Sequence, residues 1–285
     1  MEVKTVIITG AGSGIGYEVA HGVAAAGHAL IMACRNRDRA EPARRRLVEE
    51  TGNSHIKLYD LDLASFDSVR RFCEMIQEDF PAIDVLINNA GVFTTDNPRT
   101  GDGPELTMQV NFLSPVLLTR LLLPVLTVKP GTRIVNVTSD AYRMGKISLD
   151  RVSDTGLKGI NAYAASKYAV VLFTVELAER LKDLPVSVFA VHPGHVASGM
   201  WRFDAWYAPL MAALMKPFFK TPAEGAVPVL RAALAPELEG GTGLYFLGTE
   251  EKKVEHVDRD LRAGLWRRAG EIVGLDASMG EARPS

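Results

Sequence analysis

Eight residues near the start of the chain, Thr9-Gly10-Ala11-Gly12-Ser13-Gly14-Ile15-Gly16, constrain its fold more than any other feature. They follow an apolar, β-branched run at residues 3–9 and open a helical pattern at residues 14–26. Glycines between a strand and a helix let the backbone approach a pyrophosphate and let the helix lie close on its strand. The helix N-terminus then offers unpaired N–H groups and a positive dipole end to the anion. The turn lacks the Gly-Lys-Ser/Thr ending of a phosphoryl-transfer loop, which argues against that chemistry.

The same alternation continues along the chain. Strand-like runs at 28–34, 56–60, 83–88, 133–138 and 186–192 are separated by helical patterns at 37–50, 65–80, 104–128 and 160–182. This spacing predicts βαβ units and a parallel sheet covered on both faces. Right-handed crossovers make it a doubly wound α/β sheet. Ser65 is an N-cap candidate, and Asp38 is placed to cap or charge the start of the second helix.

Composition narrows the class. A length of 285 residues allows one large domain or two small ones, and no low-complexity linker divides them. At 47% hydrophobic residues disorder is excluded, and a net charge of −2 argues against a nucleic-acid partner. Cys34 and Cys73 sit in apolar runs and read as buried small hydrophobes, which fits a reducing compartment. No metal site is expected. The most apolar stretch, residues 115–128, is broken by Arg120 and Pro124 and is shorter than the ~20 residues of a membrane span. A strand beginning near residue 3 leaves no room for a leader or anchor, so a cytoplasmic protein without a transmembrane segment is expected.

Further motifs occur in a fixed order: Asn88-Asn89-Ala90-Gly91, then Ser139 ending Ile134-Val135-Asn136-Val137-Thr138-Ser139, then Tyr163-Ala164-Ala165-Ser166-Lys167, then Pro193-Gly194. With the three residues between Gly10 and Gly14, this set resembles the short-chain dehydrogenase/reductase family over residues 5–198. Cys34-Arg35-Asn36, Thr221-Pro222-Ala223-Glu224-Gly225-Ala226 and Gly243-Leu244-Tyr245-Phe246 are similar to its retinol dehydrogenase and WW-domain oxidoreductase-like branch. No WW domain is present, and retinoid activity is not implied. The resemblance implies one Rossmann-type domain over residues 1–275, with a substrate lid at 199–220 and a disordered tail at 276–285.

It also implies a nicotinamide dinucleotide held by Gly10, Ser13, Gly14, Ile15 and Gly16. Asp62 would hydrogen-bond the adenine and Leu63 would touch its edge. Asn89, Ala90 and Gly91 would line the cleft, and Pro193, Val196 and Ser198 would meet the carboxamide; Ser198 stands where many relatives have Thr. A ribose 2′-hydroxyl is usually bound by an acid about 20 residues past the glycines, whereas a 2′-phosphate needs a cation. Arg35 and Asn36 occupy that position here, so NADP is expected rather than NAD. Asp38 is the competing acid, but it lies late.

Tyr163 and Lys167 are four residues apart on a helical segment and share one face. A neighbouring ammonium favours the phenolate by roughly two pKa units on Coulomb arithmetic and, helped by the charge of the oxidised nicotinamide, brings Tyr163 into working range. By resemblance, Lys167 also holds the nicotinamide ribose. Ser139 holds the substrate oxygen, and Asn111 supports a water-linked proton path, unless it is a helical Asn bonded to backbone. His192 reads as packing and His195 as incidental.

The stretch from residue 140 to 162 is an insertion in which Tyr142, Met144 and Ile160 shape one rim of the pocket. Met200, Phe203, Trp206 and Tyr207 occupy the lid. Their thioether and rings suit a lipophilic substrate; an amphipathic helix on the core or a membrane-surface role are the alternatives. Residues 117–126 and the face Val170, Phe173, Thr174, Leu177 form either a homo-oligomer interface or core. The expected protein is an NADP(H)-dependent oxidoreductase for a lipophilic carbonyl/alcohol pair. NAD-dependent or non-redox chemistry on the same scaffold, and a non-catalytic dinucleotide sensor, are the rivals.

Overall fold

A computed structural model describes residues 2–196, 220–252, 254 and 257–275. The strands are β1 (Thr5–Thr9), β2 (Ala29–Cys34), β3 (Ile56–Asp60), β4 (Val85–Asn88), β5 (Thr132–Val137), β6 (Val186–His192), β7 (Leu244–Leu247) and β8 (Glu250–Lys252). They form one sheet in the order β3-β2-β1-β4-β5-β6-β7-β8, parallel except for the β7–β8 pair. The winding reverses between β1 and β4. That switch opens a crevice at the carboxyl ends of the strands, where ligands of such sheets bind. The doubly wound parallel sheet is as the sequence predicts; β7 and β8 extend it beyond the predicted strands.

The helices are α1 (Gly14–Ala25), α2 (Arg37–Thr51), α3 (Phe66–Asp79), α4 (Leu106–Leu126), α5 (Gly159–Arg180), α6 (Pro222–Leu234) and α7 (Arg259–Ile272). Successive strand residues face opposite sides of the sheet. Ile7, Ile31, Leu86, Ile134 and Val188 therefore pack with α3, α4, α5 and α7, while Val6, Ile8, Leu30, Met32 and Val135 pack with α1, α2 and α6. Local chemistry sets the helix ends. Ser65 accepts from the Ser68 amide at 3.3 Å at the start of α3, Gly52 ends α2 at φ 68°, and Thr221 with Glu224 forms a capping box on α6. At α2 the cap is Asn36, whose Oδ1 accepts from the Arg39 amide at 2.9 Å. Asp38 only charges the first turn, because Asn36 already occupies the extended position before the helix.

α4 is 21 residues long with a mean hydropathy of 1.4, enough by length and composition to cross a bilayer, yet 89% of its apolar window is buried inside the fold. It is a core helix, widened into a π turn at Gln109–Leu113. Leu117, Leu118, Val170, Phe173, Thr174 and Leu177 are likewise buried within one chain, so core is the reading of the two that the structure favours. Cys34 and Cys73 are buried free thiols. A buried polar ladder crosses the layers: Asn88 Nδ2 donates to Thr119 Oγ1 (3.0 Å) on α4 and Asn136 Oδ1 (2.9 Å), and Asn136 Nδ2 donates to Thr174 Oγ1 (3.0 Å) on α5. Near the end of the described chain, the guanidinium groups of Arg120 (4.5 Å) and Arg180 (4.6 Å) both lie over the Trp266 ring of α7.

Candidate active site

The glycine turn is closed by close approach. Gly10 and Gly14 have φ of 69° and 57°, values that favour glycine. A Cβ on Gly16 would lie 2.3 Å from the Gly10 carbonyl oxygen and 2.5 Å from Asn89 Nδ2, whereas one on Gly12 would make ordinary contact with Ala40 at 3.6 Å. Nothing lies within 4 Å of where a Gly14 Cβ would point. Ser13 precedes α1 in extended conformation with no side-chain cap bond, so the helix's first amides face the open side of the turn. Thr9, which the sequence reading passed over, ties this turn to the next loop. Its Oγ1 accepts from the amides of Asn89 and Ala90, both at 3.0 Å, and its carbonyl accepts from Asn89 Nδ2 at 2.8 Å. Beneath it the Cys34 thiol receives the Ala11 and Gly12 amides, though burial still raises its pKa.

At the end of β2, Arg35 is exposed and forms no ion pair among the described residues, whereas Arg37 faces Asp60 at 3.7 Å. The Asn36 side chain is engaged as the α2 cap. Asp62 makes a local turn, its Oδ1 accepting from the Ala64 amide at 2.9 Å. Leu63 is buried, and its carbonyl accepts from Ser114 Oγ at 2.6 Å.

Ser139 follows β5, and its Oγ accepts from the Ala141 amide at 3.3 Å. Tyr163 and Lys167 come from the same face of α5. The Ser139 hydroxyl hydrogen-bonds the Tyr163 phenol, and Lys167 Nζ lies 5.6 Å from the phenol ring centroid and donates to the Val137 carbonyl at 3.0 Å. Burial pushes Tyr163 up to about 12, against the smaller opposing effect of Ser139, and lowers Lys167 to about 8. In the protein alone the phenol is thus raised rather than lowered; both groups are buried, and desolvation, which disfavours each charged form, is the largest cause of each shift.

Asn111 stands on the π turn. Its Oδ1 accepts from the Val92 amide at 2.7 Å, and its Nδ2 donates to the Val92 carbonyl and to Ser166 Oγ, both at 3.0 Å. The side chain thus braces the Val92 loop against α5. Gly91 sits in the angle: a Cβ there would be 3.3 Å from Asn111 Oδ1 and 3.5 Å from Lys167 Nζ. Phe93, also missed, presents its ring edgewise to Tyr163 at 6.0 Å; an aromatic two residues past Asn-Ala-Gly was the available signal.

Pro193 and Val196 follow β6. Val196 pairs with Lys220, and a Cβ on Gly225 would lie 2.6 Å from Val196 and 3.4 Å from Ile15, so α6 seats both against the glycine turn. His192 is buried and held down to about 4, chiefly by burial, with the exposed His195 ring 5.5 Å away. Tyr142 is 1% exposed and packs edgewise on Tyr245 at 5.2 Å. Met144 and Ile160 are exposed. Ser198, Met200, Phe203, Trp206 and Tyr207, and all of the lid except Lys220, lie outside the described residues.

The short chain dehydrogenase family model matches residues 4–205. Human retinol dehydrogenase 14 is 40% identical, with 96% of this chain and 88% of that protein covered. A solved structure from Mycobacterium paratuberculosis is 30% identical at a TM-score of 0.74, covering 96% of this chain and 94% of that one. A short chain dehydrogenase from Escherichia coli CFT073 complexed with NADPH shares the fold at a TM-score of 0.67 and 24% identity, covering 85% and 95%. With its glycine turn, its Ser139, Tyr163 and Lys167 together at the strand ends and these relatives, the chain belongs to the short-chain dehydrogenase/reductase family, in the retinol dehydrogenase-like branch, and is an alcohol/carbonyl oxidoreductase.

Proposed function

We propose that the enzyme uses NADP(H) to interconvert a lipophilic ketone or aldehyde and its alcohol. The observation that carries this reading is the convergence of the Ser139 hydroxyl, the Tyr163 phenol and the Lys167 ammonium beside the loop of Gly91. The residues present fit a dinucleotide. The space in front of Gly14 and the N-terminal amides of α1, which Ser13 does not cap, suit a diphosphate, and the exposed Arg35, without an ion pair among the described residues, suits a 2′-phosphate. An NADPH complex among the structural relatives supports the same cofactor. When bound, the nicotinamide supplies or receives the hydride.

The chain's own residues manage the oxygen and the proton. Ser139 donates to the substrate oxygen and stabilises developing negative charge. Tyr163, protonated throughout the neutral range, gives its proton to the alkoxide formed on reduction. Lys167 remains mostly charged at neutral pH and stabilises the phenolate left behind. For alcohol oxidation the same steps run in reverse. Asn111 holds the loop that keeps these groups in register. A lipophilic substrate is supported by the exposed Met144 and Ile160 near the insertion after Ser139 and by the retinol dehydrogenase relatives.

The test is turnover of NADPH and NADH with a panel of apolar aldehydes and ketones. Tyr163→Phe is expected to abolish turnover while cofactor affinity stays largely intact. Undiminished turnover rejects the assignment.

A further inference from the structure

Two segments border Tyr163 at the carboxyl edge of the sheet. One follows β4, over residues 92–105. The other is the insertion between Ser139 and α5. Contacts join them along their length. The Gly159 amide donates to the Thr95 carbonyl at 3.1 Å, and Asn97 Nδ2 donates to the Leu157 carbonyl at 3.0 Å. Asn97 Oδ1 also accepts from the Thr107 amide at 3.1 Å, and this residue adopts φ 50°, the one non-glycine with positive φ among the described residues.

The far end of the seam is closed by a buried acid. Glu105 is 6% exposed and has no cationic partner among the described residues. Its Oε2 accepts from the Thr155 amide at 3.0 Å and from Thr155 Oγ1 at 2.5 Å, and its Oε1 accepts from the Gly156 amide at 2.9 Å. Its own amide donates to the Ser153 carbonyl at 3.0 Å. A side chain met by donors at both oxygens must be a carboxylate, because an amide would turn an N–H toward another N–H. A buried acid so satisfied is well suited to hold two irregular segments together.

We propose that Glu105 is a positioning residue: it clasps the insertion to the loop after β4, so that the two form one wall beside Tyr163 and set how large an apolar substrate is held there. The inference rests on the function proposed above. Phe93, at the start of the first segment, lies against the Tyr163 ring, and Gly159, at the end of the second, begins the helix that carries it. Loosening the clasp releases the wall where Glu105 meets Thr155 and Gly156. Contact with the distal part of a long substrate weakens, while the reacting groups stay in place.

The experiment compares the parent enzyme with Glu105→Gln, using 2-butanone and 2-decanone as substrates and hydrogen exchange as a structural readout. In Glu105→Gln, exchange is expected to rise together across residues 93–105 and 145–159, with the strand amides still protected. KM for 2-decanone is expected to rise about tenfold, the scale of one lost hydrogen bond to a charged group. The kcat for 2-butanone and the affinity for NADPH are expected to be unchanged. Thr155→Val, which removes one donor and keeps the carboxylate, is expected to move the same quantities less. Arg99→Ala, which breaks the exposed pair with Asp154 (2.6 Å) and the bond to the Gly103 carbonyl (2.8 Å) but leaves the Glu105 side-chain bonds, is expected to move neither. Exchange confined to Thr155 and Gly156, or an equal change in KM for both ketones, overturns the proposal. If the parent turns over neither ketone, the functional reading fails, and the exchange pattern alone decides the clasp.

Discussion

Thr9 and Asn89 hold each other at both ends: the Thr9 hydroxyl oxygen receives the Asn89 amide at 3.0 Å, and the Asn89 side chain returns a 2.8 Å bond to the Thr9 carbonyl. The pair locks the glycine turn to the loop beside Lys167. Thr9→Val keeps the shape and removes the acceptor, leaving the Asn89 and Ala90 amides without it. A loss of about 1–3 kcal/mol is expected, read as a lower Tm together with weaker cofactor binding. Thr9→Ser should restore both.

The turn also predicts a contrast between two glycines. Gly16→Ala forces a methyl to 2.3 Å from a backbone oxygen, a contact that only displacement of the turn relieves. Cofactor affinity measured by calorimetry should fall at least about a hundredfold, as expected when strain exceeds about 3 kcal/mol. Gly12→Ala meets Ala40 at 3.6 Å and should bind nearly as the parent does.

Cofactor choice is expected to depend on Arg35. A guanidinium on a phosphate makes charge-assisted bonds of roughly 1.5–3 kcal/mol, so Arg35→Glu should weaken NADPH by about tenfold to a hundredfold and leave NADH little changed. Equal losses for the two cofactors would remove Arg35 from the phosphate site.

Lys167 links activity to stability. Burial lowers its pKa from 10.5 to about 8, so the unfolded chain holds this proton more tightly than the folded one. Below pH 8 both states are protonated and folding bears the full penalty, about 3 kcal/mol by linkage. Between about 8 and 10.5 the unfolded state binds more proton, so this penalty fades as pH rises. Lys167→Met should therefore raise unfolding free energy in urea more at pH 7 than at pH 10, while abolishing turnover. An identical difference at both pH values would contradict the buried ammonium.

Much of this was legible in the residues themselves. The glycine turn fell between a strand and a helix, and Tyr163 and Lys167 fell one helical turn apart, because these features depend on local spacing. Contacts set by distant pairing were not legible. Nothing in the neighbourhood of Tyr142 marks Tyr245, a hundred residues on, as its ring partner. Glu105 fell inside the helical pattern at 104–128 with nothing to mark it, since its donors Thr155 and Gly156 belong to a distant segment. The raised phenol pKa was hidden for a related reason: a Coulomb estimate from spacing omits burial, which only the packed helix reveals.

The Thr119–Asn88–Asn136–Thr174 ladder runs from α4 through two neighbouring strands to α5, just beneath the strand ends that bear the site. It works as a keel. Loops above such a tie can be lengthened, shortened or exchanged without parting the layers that aim the phenol and the ammonium. A scaffold braced from below is free to change what it recognises while keeping the chemistry it performs.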